Sequence, residues 1–347
     1  MEGTNGIMEK RKYYSIEVAR LFVSICIVLL HSTPTGGGGT LLHSILMFGV
    51  PFFFIISGFF AFRSGKERNE ERIKKNIKYY LKFYIIAEII YIVLSCIYAT
   101  CFLDIDIITY LKSWLNTKEI LEVILINDII FDIGGPIWYI QALLYCYVIF
   151  YFFNKYDIFK YSNIIIVVTL IINSVVGEFS SVFSLDAIFP DGYIGGCFIT
   201  RGIPFMLIGY NICHNEDFYK KISNKCCLIM IILGMISSIL ECTLLKTTGH
   251  LVYRGYYQGN MIIAFFLFVL CINNAEYGKN SKLSIIGKKY SLGIYLIHQP
   301  LIIFVYAILM NHNISLWFTF LIVMPLAFIL LWMYYKSKDV LLPQKNI

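Results

Sequence analysis

Long apolar stretches, each about as long as a bilayer is thick, alternate with short polar connectors along the whole chain. Runs at 13–33, 41–62, 79–101, 136–153, 162–178, 197–213, 226–245, 259–275, 290–310 and 315–335 predict ten helices. The length fits, because ~20 apolar residues at ~1.5 Å rise cover ~30 Å of hydrocarbon. A membrane barrel would show short alternating strands instead, whereas FFFIISGFFAF and LIMIILGMISSILE are continuous. The expected fold class is all-α, a polytopic transmembrane helical bundle of about ten spans forming one domain over 1–347. No internal repeat is visible. No soluble appendage is expected at either end.

Composition agrees with this pattern. Apolar residues make up 58% of the chain and charged residues 15%, too apolar for a globule dispersed in water. The basic residues add orientation, because cytoplasmic loops retain Lys and Arg. With the N-terminus inside, 22 of the 29 Lys and Arg fall on inside segments and 4 on outside loops. Arg20, Lys82 and Arg201 lie within spans. Both termini are therefore expected in the cytoplasm, and the net charge of +7 reads as a topology signal rather than a nucleic-acid footprint. The first span lacks a small-residue cleavage site and is expected to remain as an anchor. The ten cysteines show no C-x-x-C spacing; they read as packing residues, and no metal site is expected.

Two connectors carry more than a turn. The outside loop 102–134 holds Asp104, Asp106, Glu119, Glu122, Asp128 and Asp132 against Lys112 and Lys118. Its stretches IITYLKSWL and EILEVILI are amphipathic, so it is expected to lie on the outer membrane surface. The inside segment RSGKERNEERIKKNIK, 63–78, reads as a basic helix entering the third span. It serves either as a topology anchor or as a site for a phosphorylated cytosolic ligand.

Ionisable groups inside spans are costly unless paired or hydrated, so each marks a candidate site. In the first span Glu17, Arg20, Ser24 and His31 are separated by 3, 4 and 7 residues and share one helical face. Glu17 and Arg20 can pair at i and i+3. His31 lies ~16 Å beyond Arg20 along the axis and carries the side chain best suited to proton transfer near neutral pH. Arg20 and His31 are expected to share a hydrated chamber entered from the cytosol. In the second span Pro51, Ser57 and Gly58 loosen the helix or allow close contact. Trp138 and Gln141 in the fourth are expected to line a pocket, or Trp138 to belong to an interfacial belt. Arg201 near the outer end of the sixth snorkels or pairs. Glu241 is buried in the seventh. Ser291, Tyr295 and His298, spaced 4 and 3, share a face of the ninth. Lys82 and Glu88 are six apart, so each needs another partner.

In this order the motifs resemble acyltransferase family 3, a family of integral membrane enzymes. The resemblance covers nearly the whole chain. Arg20-x10-His31 matches a first-span signature of a basic residue, ten residues and histidine, preceded by an acid at Glu17. GVPFFFIISGFF, IWYIQALLYCY, RGIPFMLIGY and GKKYSLGIYLIHQPL match later motifs. RIKKNIKYYLKFY resembles the basic entry to span three, with Arg72 and Lys75 where two arginines are common; Lys75 keeps the charge but loses bidentate geometry.

The resemblance implies transfer of an acyl group, acetyl by default, from cytosolic acyl-CoA to a hydroxyl of a carbohydrate or cell-envelope acceptor. It implies a multi-pass protein of the cytoplasmic membrane; the Ile, Asn and Lys usage points to an AT-rich bacterial genome. His31, Arg20 and Glu17 would be catalytic. Arg72, Lys75, Ser57, Trp138, Gln141, Arg201, Ser291, Tyr295 and His298 would bind substrate. No cofactor is implied beyond acyl-CoA as co-substrate. Because the chain ends about ten residues after the last span, no fused second transferase domain is expected. The competing readings are a transporter or flippase, since buried Arg, Glu and His also mark carriers, and a non-catalytic sensing or partner domain on the same scaffold.

Overall fold

The computed structural model describes residues 12–34, 38–62, 65–127, 135–185, 197–251, 256–312 and 315–341. Regular structure among them is helical throughout. The principal helices are α1 (Tyr14–Ser32), α2 (Gly38–Leu46), α3 (Gly49–Ala61), α4 (Lys66–Phe102), α5 (Ile107–Trp114), α6 (Thr117–Ile126) and α7 (Ile137–Lys155). They continue as α8 (Ser162–Val176), α9 (Ile203–His214), α10 (Asn224–Thr247), α11 (Gln258–Asn273), α12 (Lys282–Asn311) and α13 (Thr319–Leu341).

Each of the ten apolar runs falls on helix. Among the described residues eight helical stretches are long and apolar enough to cross a membrane, while Gln258–Asn273 is apolar but shorter. The run 197–213 is interrupted, with Phe198–Arg201 and Ile203–His214 meeting at Gly202. The run 41–62 is also broken, at Met47–Phe48, one turn ahead of Pro51, whose missing N–H and ring interrupt the ladder at the Met47 carbonyl. Pro51 itself sits in the first turn of α3, where its missing N–H costs no bond within that helix.

The basic connector and third span form one continuous helix. α4 has 37 residues and is ~55 Å long, so its charged first turns extend beyond a hydrocarbon core of ~30 Å. Lys74 pairs with Glu70 at 2.6 Å and Lys66 with Asp157 at 2.9 Å. Asn69 donates to the Asn154 side chain at 2.8 Å, fixing α4 against α7. Further along, Ala87, Tyr91, Ser95 and Ala99 recur every four residues on the buried face. Ile85, Ile89, Val93 and Ile97 repeat at the same interval on the exposed face. Glu88 finds the hydroxyl of Tyr84 one turn back.

The loop after α4 folds as two capped helices. Asp106 accepts from Thr109 N–H at 3.0 Å and Asn116 from Glu119 N–H at 3.1 Å. Ile107, Ile108, Ile124 and Leu125 are exposed. Residues 128–134 of this loop, including Asp128 and Asp132, lie outside the described residues.

Glu241 has a structural task. Its carboxylate accepts from Ser237 Oγ at 2.7 Å, Gln258 N–H at 2.8 Å and Gly259 N–H at 3.3 Å. It therefore caps α11 from a neighbouring helix, placing negative charge at the positive end of the helix dipole.

α3 runs through the core, with Phe52, Phe54 and Ile55 fully buried. It packs on α9 backbone to backbone, because a Cβ at Gly58 would strike the Met206 carbonyl and one at Gly209 the Ile55 carbonyl. Such contacts hold helices together where lipid offers no hydrophobic drive. Gly58→Ala is expected to cost about 1–3 kcal/mol through overpacking, read as a lower thermal midpoint in detergent. Gly38→Ala, where a Cβ meets nothing within 4 Å, should leave that midpoint unchanged.

Candidate functional site

At the end of the bundle where α1 and α4 begin lies a cavity of about 670 Å³. Glu17, Arg20, Ser57 and Arg72, four of the residues singled out by the sequence, line it. α1 brings Glu17 and Arg20, which pair at 3.2 Å. α4 contributes Arg72, Asn76 and Tyr80, one helical face at spacings of 4. α3 supplies Ser57 and α7 supplies Tyr147. The wall also carries Lys12, ahead of α1, and Lys288, from α12.

The charge balance is four cations against one carboxylate. Glu17 neutralises Arg20, so the excess positive field comes from Arg72, Lys12 and Lys288. The Nε atoms of Arg20 and Arg72 are buried with no hydrogen-bond partner among the described residues. A polyanion is the matching ligand class.

Lys75 does not share this site. It is exposed and absent from the cavity wall. The i+3 and i+4 positions diverge on either side of Arg72, and the cavity takes the Asn76 side. The cationic partners of Arg72 are instead Lys288 and Lys12. Lys288 was legible as a backward extension of the Ser291, Tyr295, His298 stripe, which includes Ser284 and Lys288 at spacings of 4 and 3. Lys12 lies outside any periodic element and gave no such signal.

His31 does not line this cavity either, contrary to the expectation of one shared chamber. Between them stands a layer of three rings, Phe53 of α3, Tyr139 of α7 and Tyr295 of α12. Their centroids are 5.3 Å apart for Tyr139–Tyr295, 6.2 Å for Phe53–Tyr295 and 6.5 Å for Phe53–Tyr139. All three are buried. Tyr139 is tied to the cavity wall by a 3.1 Å hydrogen bond between its hydroxyl and Ser57 Oγ. On the other side Tyr295 packs on His298 at 5.7 Å, and His298 on His31 at 5.3 Å.

His298 is buried at 1% exposure, whereas His31, one residue from the end of α1, is exposed. The His31 ring nevertheless packs against protein, with His298 beside it and His43 of α2 within electrostatic reach. Beside the ring layer, the Arg201 guanidinium lies over Tyr256 at 5.0 Å and over Trp138 at 5.7 Å. Arg201 thus rests on aromatic faces.

The Gln141 side chain has other work, while the Ser291 hydroxyl is buried with no hydrogen-bond partner among the described residues. The Gln141 amide donates to the Val123 carbonyl at 2.7 Å and to the Tyr145 hydroxyl at 3.1 Å, joining α7 to α6. Ser291 is buried where α1 meets α12, its carbonyl accepting from Ser24 Oγ at 3.3 Å. A second cavity, of about 380 Å³, lies between α4, α7 and α9 and is bordered by the Lys66–Asp157 pair.

The arrangement is therefore a cationic chamber at one end, an aromatic partition, and a paired imidazole site beyond it. A family model described as an acyltransferase domain matches residues 13–336. The chain belongs to acyltransferase family 3. It is a membrane acyltransferase. No curated protein and no solved structure matches it.

The partition makes distinct accessibilities testable. In a background with exposed Cys101 and Cys226 replaced by Ser, Asn76→Cys should be modified by an anionic thiosulfonate reagent within minutes. His298→Cys, which leaves all three rings in place, should resist it, as read by mass shift of the intact protein. Equal labelling at both positions would show that the rings do not separate the two spaces.

Proposed function

We propose that this acyltransferase takes its acyl group from cytosolic acyl-CoA and delivers it to a hydroxyl of a carbohydrate or cell-envelope acceptor, with acetyl the group expected from the family resemblance. The observation that carries the reading is the cavity of about 670 Å³ with its excess of cations. Coenzyme A bears several phosphates on a nucleotide that cannot enter hydrocarbon. Arg72, Lys12 and Lys288 would hold those phosphates by charge-assisted hydrogen bonds, with the basic end of the bundle and both termini in the cytoplasm. The slender pantetheine arm would then thread past Ser57 and part the Tyr139–Tyr295 contact.

Beyond the rings, His31 would remove the proton from the acceptor hydroxyl as its oxygen attacks the thioester carbonyl, or would carry the acyl group briefly itself. Direct transfer forms the oxygen–carbon bond and breaks the carbon–sulfur bond, and the departing thiolate takes up the proton. Arg20, held by Glu17, would place positive charge on the donor's path. Arg201, Trp138 and Tyr256 border the partition where an acceptor sugar can stack. We place the protein in the cytoplasmic membrane of a bacterium.

Labelling of membranes with radioactive acetyl-CoA tests this. His31→Ala should abolish incorporation while protein abundance in the membrane is unchanged. Lys288→Gln and Arg72→Gln should each raise the KM for acetyl-CoA about tenfold, the loss of one charged hydrogen bond, with kcat kept within about twofold. Mass spectrometry of surface glycans with and without the protein names the acceptor. Absence of acetyl-CoA-dependent incorporation by the wild-type protein would refute acetyl-CoA as the donor.

A further inference from the structure

The pairing of His31 with His298 has a direction built into it. The Nδ1 atom of His298 lies against the carbonyl oxygens of Tyr295 and Ile294, one turn back on α12. A carbonyl only accepts, so Nδ1 carries the hydrogen. In the neutral ring Nε2 is then a bare lone pair. That atom is buried and has no hydrogen-bond partner among the described residues. Burying a polar atom unpaired forfeits its hydration with nothing in return.

The neighbouring ring supplies the complement. The His31 and His298 centroids are 5.3 Å apart, with the planes tilted by 36°. Two imidazole nitrogens facing each other at that separation stand ~3 Å apart, the length of a hydrogen bond. A modest turn of the exposed His31 ring thus brings one of its N–H groups onto His298 Nε2. Its other nitrogen then presents a lone pair to the open side. Among the described residues, His298 from α12 and His43 from α2 are the titratable groups acting on His31.

We propose that His298 is the positioning residue of the transfer reaction: by accepting from His31 it fixes the His31 tautomer, so that the free nitrogen faces the acceptor hydroxyl. The order is acceptor, His31, His298, Tyr295 carbonyl. It follows the general logic in which a base is oriented by a group behind it, with a backbone carbonyl as the final anchor. When His31 takes the proton, His298 Nε2 shares the resulting positive charge until the departing thiolate recovers the proton. This proposal rests on His31 acting as the base.

The test separates His298's own helix bond from its service to His31. Asn at 298 keeps a side-chain N–H near the Nδ1 position but offers nothing at Nε2. Gln places an amide oxygen near Nε2. In bilayers, nitrogen-15 spectra of histidine-labelled protein, with His31 assigned by its loss in His31→Ala, should show one neutral His31 tautomer in the wild type. His298→Asn should show a mixture, and His298→Gln a single form. In acetyl-CoA labelling, His298→Asn should lower kcat about 100-fold with the donor KM within about twofold, and His298→Gln should recover part of the loss. An unchanged His31 tautomer in the Asn variant, or an Asn variant more active than Gln, overturns the proposal. If the Asn variant does not accumulate, a mixture of tautomers in the Gln variant overturns it equally. Wild-type transfer by His31→Ala would refute the base itself, while the spectra still decide whether His298 sets the His31 ring.

Discussion

Three aromatic rings, Phe53, Tyr139 and Tyr295, stand between a cationic cavity and a pair of imidazoles within one bundle. Much of the site's organisation follows from that contact. Water and charge in a low-dielectric interior must be confined to lined pockets or paired groups. The cavity collects cations, with a single carboxylate occupied by Arg20. Beyond the rings the His31 and His298 imidazoles pack together. The Ser57–Tyr139 hydroxyl pair couples the cavity wall to the ring layer.

Much of the fold was legible because membrane burial leaves coarse, repeated marks. Long apolar runs give helix, and the Ala87, Tyr91, Ser95, Ala99 series gives the buried side of α4. Short-range features were harder. Glu241 looked like a candidate for function in a span. Its partner is the start of a helix 17 residues on, and no spacing rule predicts which helix end will meet a given acid.

The site was legible in part for the same reason. Periodicity put Glu17 and Arg20 on one face and in pairing range, and the structure joins them to Ser57 and Arg72. It could not say that Lys75 would fall outside while Lys288, from the far end of the sequence, fell inside. That depends on the packing of α4 against α12, which is set by residues far apart in the chain, such as Tyr91 and Leu296, 205 positions apart. Gln141 was chosen for its polarity, yet that polarity serves the Val123 carbonyl. A polar residue in a span announces a need for a partner; sequence alone does not tell whether the partner is ligand or backbone.

Gly287 of α12 abuts the backbone carbonyl of Glu17 on α1, leaving no room for even a methyl group between them. The helix that carries Arg20 and His31 is thereby keyed to the helix that carries Lys288, Tyr295 and His298. That contact sets the spacing between the charged end and the imidazole pair. A thioester passing between them, as proposed, would be accommodated from the opposite wall, where α3 and α7 hold Phe53 and Tyr139. The α1–α12 contact would then hold the reacting groups in register while that wall parts.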